Sequence, residues 1–167
     1  MTLPDIDTSI TRPEAERLVE LARSLIVLEV GAWRGFSTVA MGQVARRVYS
    51  VDHHKGDEHA GHDESLSYLV DNVRRYGLDD GRVVIIVADS VDILPAFAAP
   101  MCDMAFIDAF HDYDAVRRDT ELVWPLVRKG GRIAFHDYGR WGVKQAVDEL
   151  HLPIDLTETL AVVTKPW

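Results

Sequence analysis

The chain has 167 residues, a formal net charge of −9 at pH 7, and 47% hydrophobic residues. This length fits one domain, 1–167, with a substantial core. The acidic balance argues against a nucleic-acid partner, because phosphate binding favours clustered lysine and arginine. No apolar run approaches the roughly 20 residues that span a bilayer, so we expect no membrane partner and no targeting leader. The single cysteine, Cys102, excludes an internal disulfide and suits a cytoplasmic protein.

Helix and strand patterns alternate along the whole chain. The first helix, within 1–24, is signalled by Thr11-Arg12-Pro13-Glu14, which combines a hydroxyl cap, an early proline and a capping acid. Such alternation predicts an α/β fold with an open, seven-stranded, mostly parallel sheet and helices on both faces. Further helices are predicted over 36–46, 65–76, 89–97, 113–127 and 143–150. Strands are predicted over 25–30, 82–88 and 102–107, and another strand ends at residue 52. A turn at 129–131 leads into a strand over 132–135, and two short strands lie within 154–165.

The loop after the first strand predicts a cofactor site. Glycines four residues apart, Gly31 and Gly35, follow an apolar run, and the next strand stops on Asp52. Parallel strands place these segments at one crevice, where Asp52 can accept hydrogen bonds from a ribose. A dinucleotide fingerprint has a glycine where this chain has Trp33, whose side chain would crowd a diphosphate. A nucleotide-type cofactor without phosphates is therefore favoured, with an NAD or nucleotide enzyme as an alternative.

Glu29, Gly31 and Gly35 match an acid-x-Gly-x-x-x-Gly loop. In this loop the chain resembles the S-adenosylmethionine (SAM)-dependent methyltransferases, which share the Rossmann-like fold, over about residues 25–165. The resemblance implies that Glu29 orients the SAM amino group through water or backbone, and that Asp89 with Ser90 faces the adenine. Helix capping is the alternative role for that pair. The full set of candidate cofactor-binding residues is Glu29, Gly31, Ala32, Trp33, Gly35, Asp52, His53, Asp89, Ser90 and Asp108.

The second half of the chain carries a more specific pattern. Its members stand in the order Ile107, Asp108, His111, Tyr113, Asp119, Trp124, Gly130, Gly131, His136 and Asp137. This order resembles the small-molecule O-methyltransferase family that includes macrolide-sugar O-methyltransferases and cephalosporin hydroxylase-like proteins. The resemblance implies methyl transfer to a hydroxyl of a small-molecule acceptor, either a sugar or a polyketide-like compound. A SAM-binding protein without methyl transfer, acting as a partner or regulatory module, is the rival hypothesis.

Methyl transfer needs a nucleophile that loses its proton near the sulfonium. We predict His111 and Asp108 as catalytic residues, with His111 as general base, because histidine titrates near neutrality. A Mg²⁺ or Mn²⁺ ion held by Asp108, His136 and Asp137 would polarise the substrate hydroxyl. In metal-dependent relatives the position of His136 is often an acid. The alternatives are that His136 bonds backbone, that Asp137 caps a helix, and that Asp119 pairs with a basic residue or braces the loop.

Two further predictions concern the surroundings of the site. The segment 53–62 contains four histidines among acids, and we interpret it as a lid rather than a zinc site, because it lacks the usual ligand spacing. Apolar Trp33, Trp141 and Trp167 make a homodimer a candidate assembly.

Overall fold

Helices and strands alternate from Arg12 to Thr164 in the computed structural model, which describes residues 2–56 and 65–167. None of the described helices is long and apolar enough to cross a bilayer. The α-helices are α1 (Arg12–Ala22), α2 (Phe36–Gly42), α3 (Ser65–Arg75), α4 (Ser90–Ile93), α5 (Tyr113–Val123) and α6 (Trp141–Asp148). The strands are β1 (Ile26–Val30), β2 (Arg47–Asp52), β3 (Val83–Val87), β4 (Cys102–Ile107), β5 (Val127–Phe135), β6 (Ile154–Thr157) and β7 (Leu160–Thr164).

The strands form one sheet in the order β3-β2-β1-β4-β5-β7-β6. The first five strands are parallel, and β7 pairs antiparallel with both β5 and β6. The prediction of a seven-stranded, mostly parallel sheet is therefore confirmed. The chain adds β2 and β3 on one side of β1 and β4 and β5 on the other, so the strand order reverses between β1 and β4. Open α/β sheets bind ligands in the crevice at such a point.

The core lies on both faces of this sheet. Neighbouring residues of β1 point to opposite faces, and Val27 and Leu28 are both fully buried. Val27 belongs to a cluster that includes Leu18 of α1 and Met41 of α2, whereas Leu28 packs in a cluster with Val116 of α5. Helices therefore cover both faces, as predicted, and the strand ends remain as the open edge.

The predicted turn at 129–131 is wrong, because β5 runs through it. Gly130 has a φ of +70°, and the pairing of β4 with β5 shifts register between Cys102 and Met104. The backbone N–H of Gly130 donates to Lys165, so β7 continues the pairing here. The glycines thus permit an irregularity inside a strand rather than a turn that reverses the chain.

Two of the predicted helices give way to a 3-10 turn before their expected ends. The helix predicted over 113–127 is α-helical only to Val123 and then tightens into a 3-10 turn over Trp124–Leu126. Pro125 lies in that turn, and proline has no backbone N–H with which to continue an α-helix. The helix predicted over 89–97 likewise gives way after Ile93 to a 3-10 turn over Leu94–Ala96, which contains Pro95.

Gly31 supports a first prediction about stability. Its φ is +90°, and a Cβ there would lie 2.2 Å from the backbone oxygen of Asp108, so Gly31→Ala must displace the loop or β4. We expect this substitution to lower the free energy of unfolding by about 3 kcal/mol or more. Gly77→Ala is the matched control: it has a φ of +64° but nothing within 4 Å, so we expect a loss of about 1 kcal/mol. Urea denaturation measures both, and equal losses would contradict the close approach.

Candidate active site

Two adjoining cavities open at the carboxyl ends of the parallel strands. Gly31, Trp33, Asp108 and Ala109 line both. The first cavity is completed by residues at or just after the ends of β2, β3 and β4, namely Val51, Asp52, His53, Gly56, Ala88, Asp89, Ser90 and Phe110. Val30 of β1, Ser65 of α3 and Arg118 and Asp119 of α5 also line it. The second cavity, of about 430 Å³, is completed by Asp7, Thr8, Ser9, Ile10, Ala32, Phe36, Ser37, His111, Asp137 and Arg140.

Asp52 shapes the loop that separates the cavities. Its Oδ2 accepts hydrogen bonds from the backbone N–H groups of Ala32 and Trp33 at 2.8 and 2.9 Å. Its Oδ1 accepts from the backbone of His54 at 2.7 Å. Trp33 is held at a φ of +46°, a left-handed conformation that is strained for a bulky residue. A carboxylate oxygen has two lone pairs, so Asp52 keeps acceptor capacity toward the first cavity.

Glu29 is fully buried beneath this loop and lines neither cavity. It accepts hydrogen bonds from the hydroxyls of Ser37 and Ser50 at 2.6 and 2.7 Å, and from Thr38. Burial raises the pKa of Glu29 to about 7, against the effect of these hydrogen bonds. Any influence of Glu29 on a ligand therefore passes through the loop and the start of α2. Gly35, with a φ of +88° at the N-cap of α2, also lies outside both cavities.

The end of β3 supplies two polar residues to the first cavity. Asp89 is the N-cap of α4, and its side chain accepts from the backbone N–H of Val91 at 3.3 Å. The hydroxyl of Ser90 donates to Oδ1 of Asp119 at 2.6 Å. Helix capping is thus present, and it leaves both residues on the cavity wall.

The histidines after β2 have different surroundings. The ring of His53 lies 5.9 Å from that of Phe110, centroid to centroid, and both residues line the first cavity. His54 is buried with Nδ1 2.9 Å from the Ser65 hydroxyl, and burial lowers its pKa. The rest of the predicted lid, residues 57–62, lies outside the described residues.

A buried row of charges runs from α1 to the end of β4. Nδ1 of His136 lies 3.1 Å from Oδ1 of Asp108, and its Nε2 lies 3.4 Å from Oε2 of Glu14. Burial opposes the charged imidazole, yet Asp108, Asp137 and Glu14 together raise the pKa of His136 to about 9. Burial likewise works against the charge on Asp108, but the neighbouring imidazoles of His111 and His136 lower its pKa. At neutral pH the row is therefore carboxylate, imidazolium, carboxylate.

Glu14 is held by the two ends of the chain. Thr11 donates through its backbone and its hydroxyl, both at 2.9 Å. Thr159 donates through its backbone at 2.9 Å and its hydroxyl at 2.6 Å. Burial alone would raise the pKa of Glu14, but these hydrogen bonds lower it to about 2. The capping box predicted at Thr11 and Glu14 is present, but nothing in the sequence pattern indicated that its acid also reaches His136.

His111 lies beside both predicted aspartates. Its Nε2 is 3.1 Å from Oδ2 of Asp137 and 3.7 Å from Oδ1 of Asp108, which are ion-pair distances rather than aligned hydrogen bonds. Arg140 approaches the same Oδ2 of Asp137 at 2.9 Å through its Nε. The second cavity thus contains a histidine whose Nε2 faces two carboxylates.

The predicted metal ligands contact other side chains of the protein in this arrangement. Both ring nitrogens of His136 are engaged, and an imidazolium has no lone pair to offer a metal. Oδ2 of Asp137 already lies 3.1 Å from Nε2 of His111 and 2.9 Å from Nε of Arg140. Among residues 2–56 and 65–167, no group of three or more His, Cys, Asp or Glu side chains is arranged to hold a metal ion. A Mg²⁺ or Mn²⁺ site formed by Asp108, His136 and Asp137 therefore stays a prediction.

A sheet that changes strand order beside a glycine loop, with an acid closing β2, defines the Rossmann-like class of cofactor-binding proteins. Within that class, residues 28–138 match a family model described as a methyltransferase domain. The chain belongs to this family. Comparison with curated protein sequences gives no match.

Solved structures of O-methyltransferases share the fold. TomG from Streptomyces achromogenes, involved in tomaymycin synthesis and solved with SAM, is 17% identical with a TM-score of 0.73, covering 97% of this chain and 83% of that one. The Bacillus cereus O-methyltransferase, solved with S-adenosylhomocysteine (SAH), is 19% identical with a TM-score of 0.70, covering 98% and 84%. The O-methyltransferase NovP is 18% identical with a TM-score of 0.77, covering 96% and 82%.

The charge row predicts a specific pH dependence. The pKa of Glu14 is lowered from 4.5 to about 2, so its stabilising contribution is complete above pH 4.5 and is lost as the pH falls toward 2. The pKa of His136 is raised from 6.5 to about 9, so its contribution is complete below pH 6.5 and is lost as the pH rises through 9. We expect each loss to be on the order of 2 kcal/mol in urea denaturation.

Glu14→Gln tests the link between the two groups. This substitution removes one buried charge, so we expect the pKa of His136 to fall when the imidazole is titrated by NMR. Glu16→Gln, on the exposed side of the same helix, is the matched control. An unchanged His136 titration in Glu14→Gln would rule out the coupling.

Proposed function

We propose that this protein transfers a methyl group from SAM to a hydroxyl of a small molecule. The observation that carries the proposal is the pair of cavities that share Gly31, Trp33, Asp108 and Ala109. One cavity contains an acid placed for a ribose, and the other contains a histidine placed for an acceptor. A shared wall is what an in-line transfer between two bound molecules requires.

The residues that line the first cavity suit a nucleoside. Asp52 offers acceptors for the ribose hydroxyls, and the Asp89–Ser90 end offers them for the base. The backbone at Gly31 lies so close to β4 that no side chain fits there, which keeps the loop clear for the amino-acid part of the cofactor. When bound, SAM supplies the electrophilic methyl group. With the cofactor in the first cavity, transfer across the shared wall would take place beside Asp108.

His111 is the proposed general base. Asp137 and Asp108 face its Nε2, so Nδ1 is the nitrogen that takes the proton from the acceptor hydroxyl. The same carboxylates stabilise the imidazolium that results, as an aspartate does for the histidine of a catalytic triad. A protein that only binds SAM has no use for such a base, and this favours the enzyme over the rival module.

The second cavity indicates the kind of acceptor. Its volume of about 430 Å³ is in the range of sites for small organic molecules. Ile10 and Phe36 provide apolar surface, while Thr8, Ser9 and Arg140 provide polar groups. This mixture suits a sugar or polyketide-like ring that carries hydroxyl groups.

The proposed assembly and location follow from the sequence predictions. A homodimer through Trp141 and Trp167 is supported by their exposed fractions, 76% and 89%. Trp33 does not contribute to such a surface, because it lines the cavities. A cytoplasmic location is proposed on the single buried cysteine, Cys102.

His111→Ala separates binding from chemistry. We expect SAH to bind the wild-type chain in calorimetric titration, and to bind this variant within about threefold. We expect methyl transfer from labelled SAM, measured across a panel of small hydroxyl compounds, to fall at least about 100-fold because the base is gone. His151→Ala, at an exposed position, is the control. Binding of NAD instead of SAH would refute the cofactor assignment, and loss of SAH binding in His111→Ala would refute the base.

Removal of metals tests whether methyl transfer needs a divalent ion. Since His136 is an imidazolium and Asp137 pairs with Arg140, we propose transfer without a bound divalent ion. Dialysis against EDTA should leave the rate within about twofold. A loss of activity that Mg²⁺ or Mn²⁺ restores would show instead that Asp108 and Asp137 release their partners to a metal.

A further inference from the structure

The segment that carries His111 packs directly against the first turn of α6. A Cβ added at Gly142 would lie 2.4 Å from the backbone oxygen of His111 and 2.7 Å from the backbone nitrogen of Tyr113. The hydroxyl of Tyr113 also donates to Glu149, just beyond the end of α6, at 2.6 Å. The two backbones can therefore meet only because residue 142 has no side chain, although Gly142 itself lies outside both cavities.

Helix propensity does not account for this glycine. Gly142 is the second residue of α6, and its φ lies outside the left-handed region that favours glycine. Alanine forms helices more readily, because glycine loses more backbone freedom when it is ordered. The close packing against His111 is therefore the physical reason for a glycine at this position.

The helix is anchored more firmly than the segment it touches. α6 buries Val143, Ala146 and Val147 in the core cluster beside the sheet. By contrast, none of residues 108–112, which connect β4 to α5, is fully buried. A side chain inserted at position 142 would therefore displace the segment rather than the helix.

The other end of the same segment is held by the cofactor loop. A Cβ at Gly31 would lie 2.2 Å from the backbone oxygen of Asp108, so this contact also leaves no room for a side chain. His111 lies between these two close backbone contacts, and its Nε2 is 3.1 Å from Oδ2 of Asp137. Where the imidazole sits relative to Asp137 thus depends on both contacts.

We propose that Gly142 is a positioning residue for His111. The inference rests on the proposed function, since it takes His111 to be the group that accepts the proton of the acceptor hydroxyl. A side chain at position 142 would move the segment away from α6, and the imidazole would move with it relative to Asp137. Proton transfer requires the base within hydrogen-bond reach of the hydroxyl, and a misplacement of about 1 Å can lower a rate about 100-fold.

NMR spectra of the histidine rings, recorded on the full chain at one pH with and without SAH, test the position of the base. The His111 signals are assigned by their loss in His111→Ala. We expect Gly142→Ala to shift these signals because the imidazole moves, while SAH binding in calorimetry stays within about threefold. Gly139→Ala is the matched control, because the nearest atom to its added Cβ would be Cγ2 of Thr159 at 3.8 Å. This control should leave the His111 signals in place.

A double-mutant cycle separates positioning from a general loss of structure. We expect Gly142→Ala to lower kcat for transfer from labelled SAM at least about tenfold, with KM for SAM within about threefold. In the His111→Ala background the same substitution should change the residual rate less than about twofold, because no imidazole remains to be misplaced. An equal loss in both backgrounds would show that Gly142 acts by another route, and it would overturn the inference.

The outcomes separate the inference from the proposed function. If His111→Ala transfers methyl groups as fast as the wild type, the base assignment fails and the inference fails with it. If the wild type depends on His111 but Gly142→Ala keeps its ring signals and its kcat, the inference is overturned while the proposed function stands. Thermal unfolding checks that Gly142→Ala is folded. Should it not fold, Tyr113→Phe replaces it, because this change removes the hydroxyl contact beside the same packing, and unshifted His111 signals would then overturn the inference.

Discussion

The close approach of the β1 loop to the end of β4 is the constraint on which the site depends. Gly31 packs against the backbone oxygen of Asp108 with no room for a side chain. The same loop contacts Asp52, whose carboxylate accepts hydrogen bonds from the backbone N–H groups of Ala32 and Trp33. It also makes one wall common to both cavities.

The buried row of Glu14, His136 and Asp108 explains how charged side chains are stabilised inside this fold. A single buried charge is costly, but here each charge has an opposite neighbour, and Glu14 also accepts hydrogen bonds from Thr11 and Thr159. The result is that α1, the β6–β7 turn and the catalytic edge are tied together. Residues 7–10, which wall the second cavity, directly precede this anchored helix.

Much of the architecture was predictable because it is encoded locally. Apolar runs such as Leu25–Val30 end in glycine or aspartate, and parallel pairing carries those ends to one edge. The failures were also local: Gly130 and Gly131 have the composition of a turn but sit in a bulged strand. Composition reports which backbone conformations are permitted, while pairing with β4 and β7 decides which of them is used.

By itself, the sequence determined the alternation of helices and strands, the glycine loop and the polar residues at the strand ends. These follow from periodicity and from short-range turn and capping rules, which act within a few residues. Tertiary structure alone decided which side chains meet. Glu14 and His136 are 122 residues apart, and Ser90 and Asp119 are 29 apart. No local pattern records such contacts. Only when the sheet brings their elements together do we see the charge on His136, the contacts of its two nitrogens and the hydrogen bond between Ser90 and Asp119.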